Sequence, residues 1–139
     1  MTRRQRDLEA ASRFRERRER EDAAPRLRSR VARLRTLSIE IDDHPGATGI
    51  GRTRYVRHVV VDQAPALFYI PCSEAYCEDG GHDLTVAILQ ALLGGETEFS
   101  GQDVCYGWRG GAQCERVVHF LGRATYSCDQ RPEEGDMRD

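Results

Sequence analysis

The residues in this chain whose type and grouping point most directly to a chemistry are its cysteines. Cys72 and Cys77 bracket a four-residue loop, and Cys105 and Cys114 stand on either side of a turn centred near Arg109 and Gly110. Residues directly opposite one another in an antiparallel hairpin project to the same face, so this symmetry predicts that the sulfurs of Cys105 and Cys114 point together. If the first loop meets the second, four soft ligands converge, which is the set that zinc takes in a tetrahedron at about 2.3 Å from each sulfur. The expected cofactor is a structural Zn2+ held by Cys72, Cys77, Cys105 and Cys114. The spacing Cys77-x4-His82 offers an alternative in which His82 replaces one thiol. Without metal, the same residues would pack as small buried hydrophobes. Cys128 is left over, the one spare thiol for a labile or redox-sensing role.

Over residues 72–114 the two loops resemble zinc-ribbon or zinc-knuckle elements, which implies a structural ion with a closed shell. Pro71-Cys72 also resembles part of the P-C-x-x-C motif of zinc deaminases, but the spacing here is x4 and no H-x-E or C-x-E stands upstream of Pro71. A catalytic zinc keeps a position open for water, and four thiolates fill it. Glu78, Asp79, His82 and Asp83 cluster around Gly80 and Gly81; they read as a turn leaving the cysteine loop and a helix cap, with His82 on the surface or beside the helix. His44, His58 and His119 stand singly in turn or strand contexts. No phosphate-cradling glycine loop, nucleophile elbow or cofactor fingerprint is present. The chain therefore reads as non-enzymatic, with no small-molecule substrate in evidence.

The elements that must position the cysteines follow from periodicity. Leu37, Ile39 and Ile41 alternate with Ser38, Glu40 and Asp42, a half-buried strand. Tyr55 to Asp62 and Ala66 to Ile70 read as second and third strands. Asp83 is placed to cap a helix running to about Leu93, with Gly94 and Gly95 to end it and Leu84, Ala87, Ile88, Ala91 and Leu92 as its packed face. A last hairpin joins Val104–Trp108 to Cys114–Phe120. The prediction is an α+β domain: a small, mainly antiparallel sheet with one packed helix and a zinc-ribbon-like four-cysteine site.

Ahead of this domain lies a different kind of sequence. All 21 basic residues are arginine, which a GC-rich genome explains through codon bias and which also suits flat, bidentate recognition of phosphate or carboxylate. Residues 1–36 carry a balance of +7 and the remainder −9, a basic arm on an acidic body. From Thr2 to Asp22 the arm reads as a solvated helix or disordered segment, with Glu9–Arg13 and Glu16–Arg20 as acid-to-base pairs four apart. Pro25 fits the first turn of a second helix, whose Leu27, Val31 and Leu34 recur at i, i+4 and i+7 and could dock on the body.

Arg3, Arg6, Arg13, Arg17 and Arg20 fall on one side of the first helix, where they can follow a line of phosphates. Trp108 and Arg109 at the hairpin tip, with Tyr106 beside them, suit stacking on bases or a protein contact. Two functions follow. In the first, a zinc-stabilised accessory module attaches to RNA or a ribonucleoprotein particle through the arm (residues 1–36), with residues 37–127 as the body and 128–139 as an acidic, mobile tail. In the second, the chain is a protein–protein adaptor or homo-oligomer with a purely structural zinc and no nucleic acid. No apolar run approaches membrane-spanning length and the start lacks the apolar stretch of a secretory signal, so the expected compartment is the cytosol, with no membrane partner.

Overall fold

The computed structural model describes residues 2–45, 51–74 and 77–127. In chain order its elements are α1 (Arg3–Ala23), α2 (Leu27–Arg30), β1 (Leu34–His44), β2 (Thr53–Val59), β3 (Tyr69–Pro71), β4 (Gly81–Asp83), α3 (Thr85–Leu93), β5 (Glu98–Val104), β6 (Trp108–Arg109), β7 (Ala112–Gln113) and β8 (Val117–Tyr126). The tail expected at 128–139, with Cys128, lies outside the described residues.

The two-residue alternation of β1 turns Leu37, Ile39 and Ile41 inward, and the strand pairs antiparallel with β2 on one side and β8 on the other. β5 adds to the far edge of β8, giving a four-stranded sheet in the order β2-β1-β8-β5. Leu34 and Leu37 are both buried although three residues apart, because the register shifts between Leu34 and Thr36 and this bulge resets the strand's parity. On the inner face two aromatic rings lie across glycines of the neighbouring strand: Phe99 opposes Gly122 and Phe120 opposes Gly101. A Cβ at Gly122 would stand 2.3 Å from the Phe99 ring, so the missing side chain is what admits it.

One helix, α3, covers this face through Ile88, Leu89, Ala91 and Leu92. Its start differs by one residue from the expected cap: Leu84 holds the N-cap position, while the carboxylate of Asp83, the last residue of β4, accepts the N–H of Thr85 at 3.0 Å. The helix stops as expected at Gly94, followed by Gly95 in the left-handed region.

Three expectations about the elements change. The second helix is a single turn, and Leu34 belongs to β1; Leu27, Val31 and Leu34 nevertheless all enter the same core as the sheet, so that core begins well ahead of residue 37. The second strand ends at Val59, where the carbonyl of Val60 accepts from both Gln63 and Ala64 and turns the chain. The third strand shrinks to β3, because the backbone around Ala66 is already engaged: Leu27 donates to Ala64 and Ala66 donates to Pro25. β3 then pairs with β4 as a separate antiparallel ribbon. The whole is α+β, a small antiparallel sheet with one packed helix.

Helix α1 opens with a capping box, Thr2 and Gln5 exchanging backbone-to-side-chain hydrogen bonds. The acid-to-base pairs Glu9–Arg13 and Glu16–Arg20 do not close into ion pairs. The guanidinium of Arg20 instead sits over the Tyr69 ring at 5.3 Å and that of Arg17 over Phe14 at 5.4 Å. Among the described residues no helix is long and apolar enough to cross a membrane.

Candidate metal centre

Three of the four clustered cysteines follow directly on the end of a strand. Cys72 follows β3 and Cys77 lies on the loop back to β4; Cys105 follows β5 and Cys114 follows β7. The two loops are stitched together by a bridge between Glu78 and Trp108, whose N–H groups each donate to the other's carbonyl, at 2.7 and 3.1 Å. This brings the four Sγ atoms within 4.8 Å of one another. The Cys77–Cys105 and Cys72–Cys114 separations are 3.6 and 3.8 Å. A tetrahedron with metal–sulfur bonds of about 2.3 Å has edges of about 3.8 Å, so the sulfurs stand where the corners of a coordination shell belong.

The hairpin symmetry that suggested Cys105 and Cys114 was right about convergence and wrong about register. β5 pairs with β8 and β6 with β7 so that Cys105 lies across from Arg116, donating to its carbonyl at 2.9 Å, and Cys114 across from Gly107, donating to its carbonyl at 2.9 Å. The cysteines are thus diagonal neighbours, flanking the gap between the long β5–β8 ladder and the two-pair ladder of β6 and β7. Both backbone segments curl around their own sulfur: the N–H of Gly107 points at Cys105 Sγ at 3.4 Å, as that of Glu74 does at Cys72 Sγ at 3.5 Å. The amide of Arg116 does the same for Cys114. An amide two residues on that faces a sulfur stabilises it as a thiolate, the form a metal binds.

Glycine makes the close approach of the loops feasible. A Cβ at Gly80 would lie 2.3 Å from Cys77 Sγ and 2.6 Å from Cys105 Sγ; one at Gly107 would lie 2.6 Å from Cys77 Sγ and 2.5 Å from the carbonyl oxygen of Glu78. Only residues without a side chain leave room for the sulfurs there.

Cys105 and Cys114 are buried, while Cys72 and Cys77 are half-buried. Burial pushes the Cys72 thiol up to about 12 and the Cys77 thiol higher still; the latter is also raised by its hydrogen bond with Cys105. For Cys114 burial acts in the same direction but is outweighed by the Arg116 amide and the neighbouring thiols, so that sulfur ionises more readily than usual. A thiol whose pKa lies above the ambient pH must lose its proton before it can ligate, so metal affinity rises with pH throughout the range below that pKa. With two such thiols among the four, the apparent affinity for a divalent ion is expected to rise at least about a hundredfold per pH unit between pH 6 and 8. Competition titrations against a chelator of known affinity, corrected for its own protonation, would check this; a flat profile would contradict it.

His82 does not join the cluster. It is buried, not at the surface, and its Nδ1 lies 3.1 Å from the carbonyl oxygen and 3.2 Å from the carboxylate of Asp103. Both are acceptors, which assigns the Nδ1 proton to them, while Nε2 meets no hydrogen-bond partner among the described residues. Tyr106 and Trp108 are about half exposed beside the cluster. Arg3, Arg6, Arg13, Arg17 and Arg20 all lie on α1, and Arg109 in the backbone of β6.

One part of the centre was missed from sequence. The guanidinium of Arg116, itself buried, donates to Asp43 Oδ1 at 2.9 Å, Glu74 Oε2 at 2.6 Å and the Gly51 carbonyl at 2.8 Å, while Ser73 donates to the other oxygen of Asp43 at 3.0 Å. Burial works against its charge, but the bonds to Glu74 and Asp43 outweigh it, and its pKa is raised. The network ties the first cysteine loop to the end of β1 and the start of β8. Its sequence signal was parity: Asp43 continues the inward series Leu37, Ile39, Ile41, and a carboxylate on that face demands a cation.

No protein family, curated protein or solved structure matches the chain.

Proposed function

We propose that this chain is a zinc-stabilised, non-enzymatic module that attaches to RNA or a ribonucleoprotein particle through its arginine-rich helix α1. The zinc reading is supported by four thiols at tetrahedral spacing with a closed, sulfur-only donor set, which takes zinc or iron and leaves no position for a reacting water. Elemental analysis of freshly purified protein separates the two metals. Four thiolates also need reduced sulfur, which the cytosol maintains. The likeness to a zinc ribbon rests on the same two loops, each closing on its sulfur through an amide two residues away.

The attachment reading is carried by three arginines of α1. Among the described residues Arg13, Arg17 and Arg20 have no carboxylate partner, in contrast to Arg52, Arg116 and Arg123 of the body, each of which is held by an acid. A guanidinium left free to meet a phosphate gains by releasing the counterions condensed there. Pull-down from lysate at low salt, with and without nuclease, tests the reading. RNA that copurifies should be released by salt, and replacing one contacting arginine by alanine should flatten the slope of log K against log salt by about 0.7. A nuclease-insensitive protein partner or a stable dimer with no RNA would instead identify an adaptor. The exposed Tyr55 and Val56 on the edge strand β2 are the surface such a contact would use.

A further inference from the structure

Between α1 and the two cysteine loops runs a cleft of about 500 Å³. Its walls differ in chemistry. The helix wall presents Arg13, Arg17 and Arg20 against a single acid, Glu16, none of the three in an ion pair among the described residues, with Phe14 about half exposed among them. On the opposite wall are Tyr69, Tyr106 and Asp79, with the sulfurs of the half-buried Cys72 and Cys77 behind them. Tyr69 is fixed in place: its hydroxyl donates to the Gly80 carbonyl at 2.9 Å and receives the hydroxyl of Tyr106 at 3.4 Å, while Arg20 covers its ring. Tyr106 keeps about half its surface open, so its ring is a free stacking surface beside a row of cations.

We propose, on the basis of the RNA reading above, that this cleft binds single-stranded RNA, with phosphates along the arginines of α1 and bases turned toward Tyr106 and Phe14. Charge sets that orientation. Asp79 repels phosphate from the loop wall, so the backbone of the strand must follow the helix and the uncharged bases must face the loops. Size and stacking set the selectivity. A duplex has its bases already stacked inside the helix and offers no free ring face to Tyr106, whereas unpaired bases stack readily on aromatic rings and guanidinium planes. A cleft of this volume encloses a small ligand or a base, not a double helix.

The test uses the full, metal-loaded chain and fluorescence anisotropy with two labelled probes at low salt, an unstructured 12-nucleotide RNA and a 12-base-pair RNA duplex. The single strand should bind at least about tenfold more tightly than the duplex, and Tyr106→Ala should remove most of that advantage, since stacking of one base accounts for about that factor. Tyr106→Phe separates stacking from the hydroxyl contact with Tyr69: it should keep the advantage. Arg17→Ala should weaken both probes, whereas Arg54→Ala, an equal charge change on the open face of the sheet, should have little effect. Metal content and circular dichroism of each variant report whether the fold is kept. Equal binding of both probes, unchanged by Tyr106→Ala, would overturn the cleft while leaving phosphate attachment intact. No binding of either RNA would overturn both readings, and a hexaglutamate peptide binding in its place would assign α1 to an acidic protein partner.

Discussion

Removing the metal is expected to unfold the body of the protein, not merely to loosen two loops. The core is small: one face of a four-stranded sheet, one nine-residue helix and the residues of the 27–34 and 61–68 segments that close its edges. Domains of this size keep a net stability of about 5–15 kcal/mol, and a structural zinc contributes apparent folding free energy of about 10 kcal/mol or more. The elements around the centre also have little else to hold them. β3 and β4 are three-residue strands, β6 and β7 two-residue ones, and their shared anchor is the point where four sulfurs meet. Treatment with a strong chelator should therefore abolish the sheet signal in circular dichroism and expose Trp108 to full solvent quenching, and Cys105→Ser should reproduce the effect at saturating zinc. Chelated protein that kept its spectrum and thermal transition would show that the four cysteines are ordinary packed thiols.

The parts of this architecture that sequence made legible are those governed by local periodicity. The alternation of Leu37, Ile39 and Ile41 and the Asp83-to-Gly94 frame of α3 depend on neighbours within a few residues, and both elements form where expected, to within a residue or a few. Errors arose where a distant segment took over a backbone group. Ala66 did not extend β3 because Pro25 and Leu27 hold that stretch, and Tyr55 to Asp62 was cut short by the turn at Val60. The cysteines fall between these cases. Their grouping was visible because the hairpin is local, but its register is set by the two-residue turn at Gly110 and Gly111, both with positive φ, which centres the pairing one residue beyond the expected point and takes Cys105 and Cys114 off direct opposition. Of the two places expected for His82 the surface is excluded by its burial, and the partner that holds it, Asp103, is 21 residues away on β5. The position of the Arg20 guanidinium could not be read from spacing either, since Glu16 and Arg20 have ideal spacing and Arg20 nonetheless lies over the ring of Tyr69.

Arg116→Met should be the most damaging single substitution outside the cysteines and their glycines. Arg116, Asp43 and Glu74 have side chains 5%, 6% and 16% exposed, so neither carboxylate can recover its hydration if the cation is removed. Breaking a buried ion pair from one side costs about 3–5 kcal/mol, because the remaining charge stays buried and uncompensated. Here two carboxylates lose the same cation, the Ser73 hydroxyl on Asp43 being no substitute for its charge, and the Gly51 carbonyl loses the guanidinium as well. Arg116→Lys should rescue little, since a single ammonium cannot reproduce the fork that reaches Asp43, Glu74 and Gly51 together. The substitution leaves the backbone amide of Arg116 in place for Cys114, so the variant should still bind metal with the native stoichiometry while its urea midpoint falls. That split distinguishes loss of the ionic network from loss of the metal. Adding Asp43→Leu to Arg116→Met should restore part of the lost stability, as expected when both members of a buried pair are replaced by apolar groups, and the double-mutant cycle would give the coupling directly. A loss below about 1 kcal/mol for Arg116→Met alone would mean that water reaches the network and that the first cysteine loop is held by its sulfurs alone.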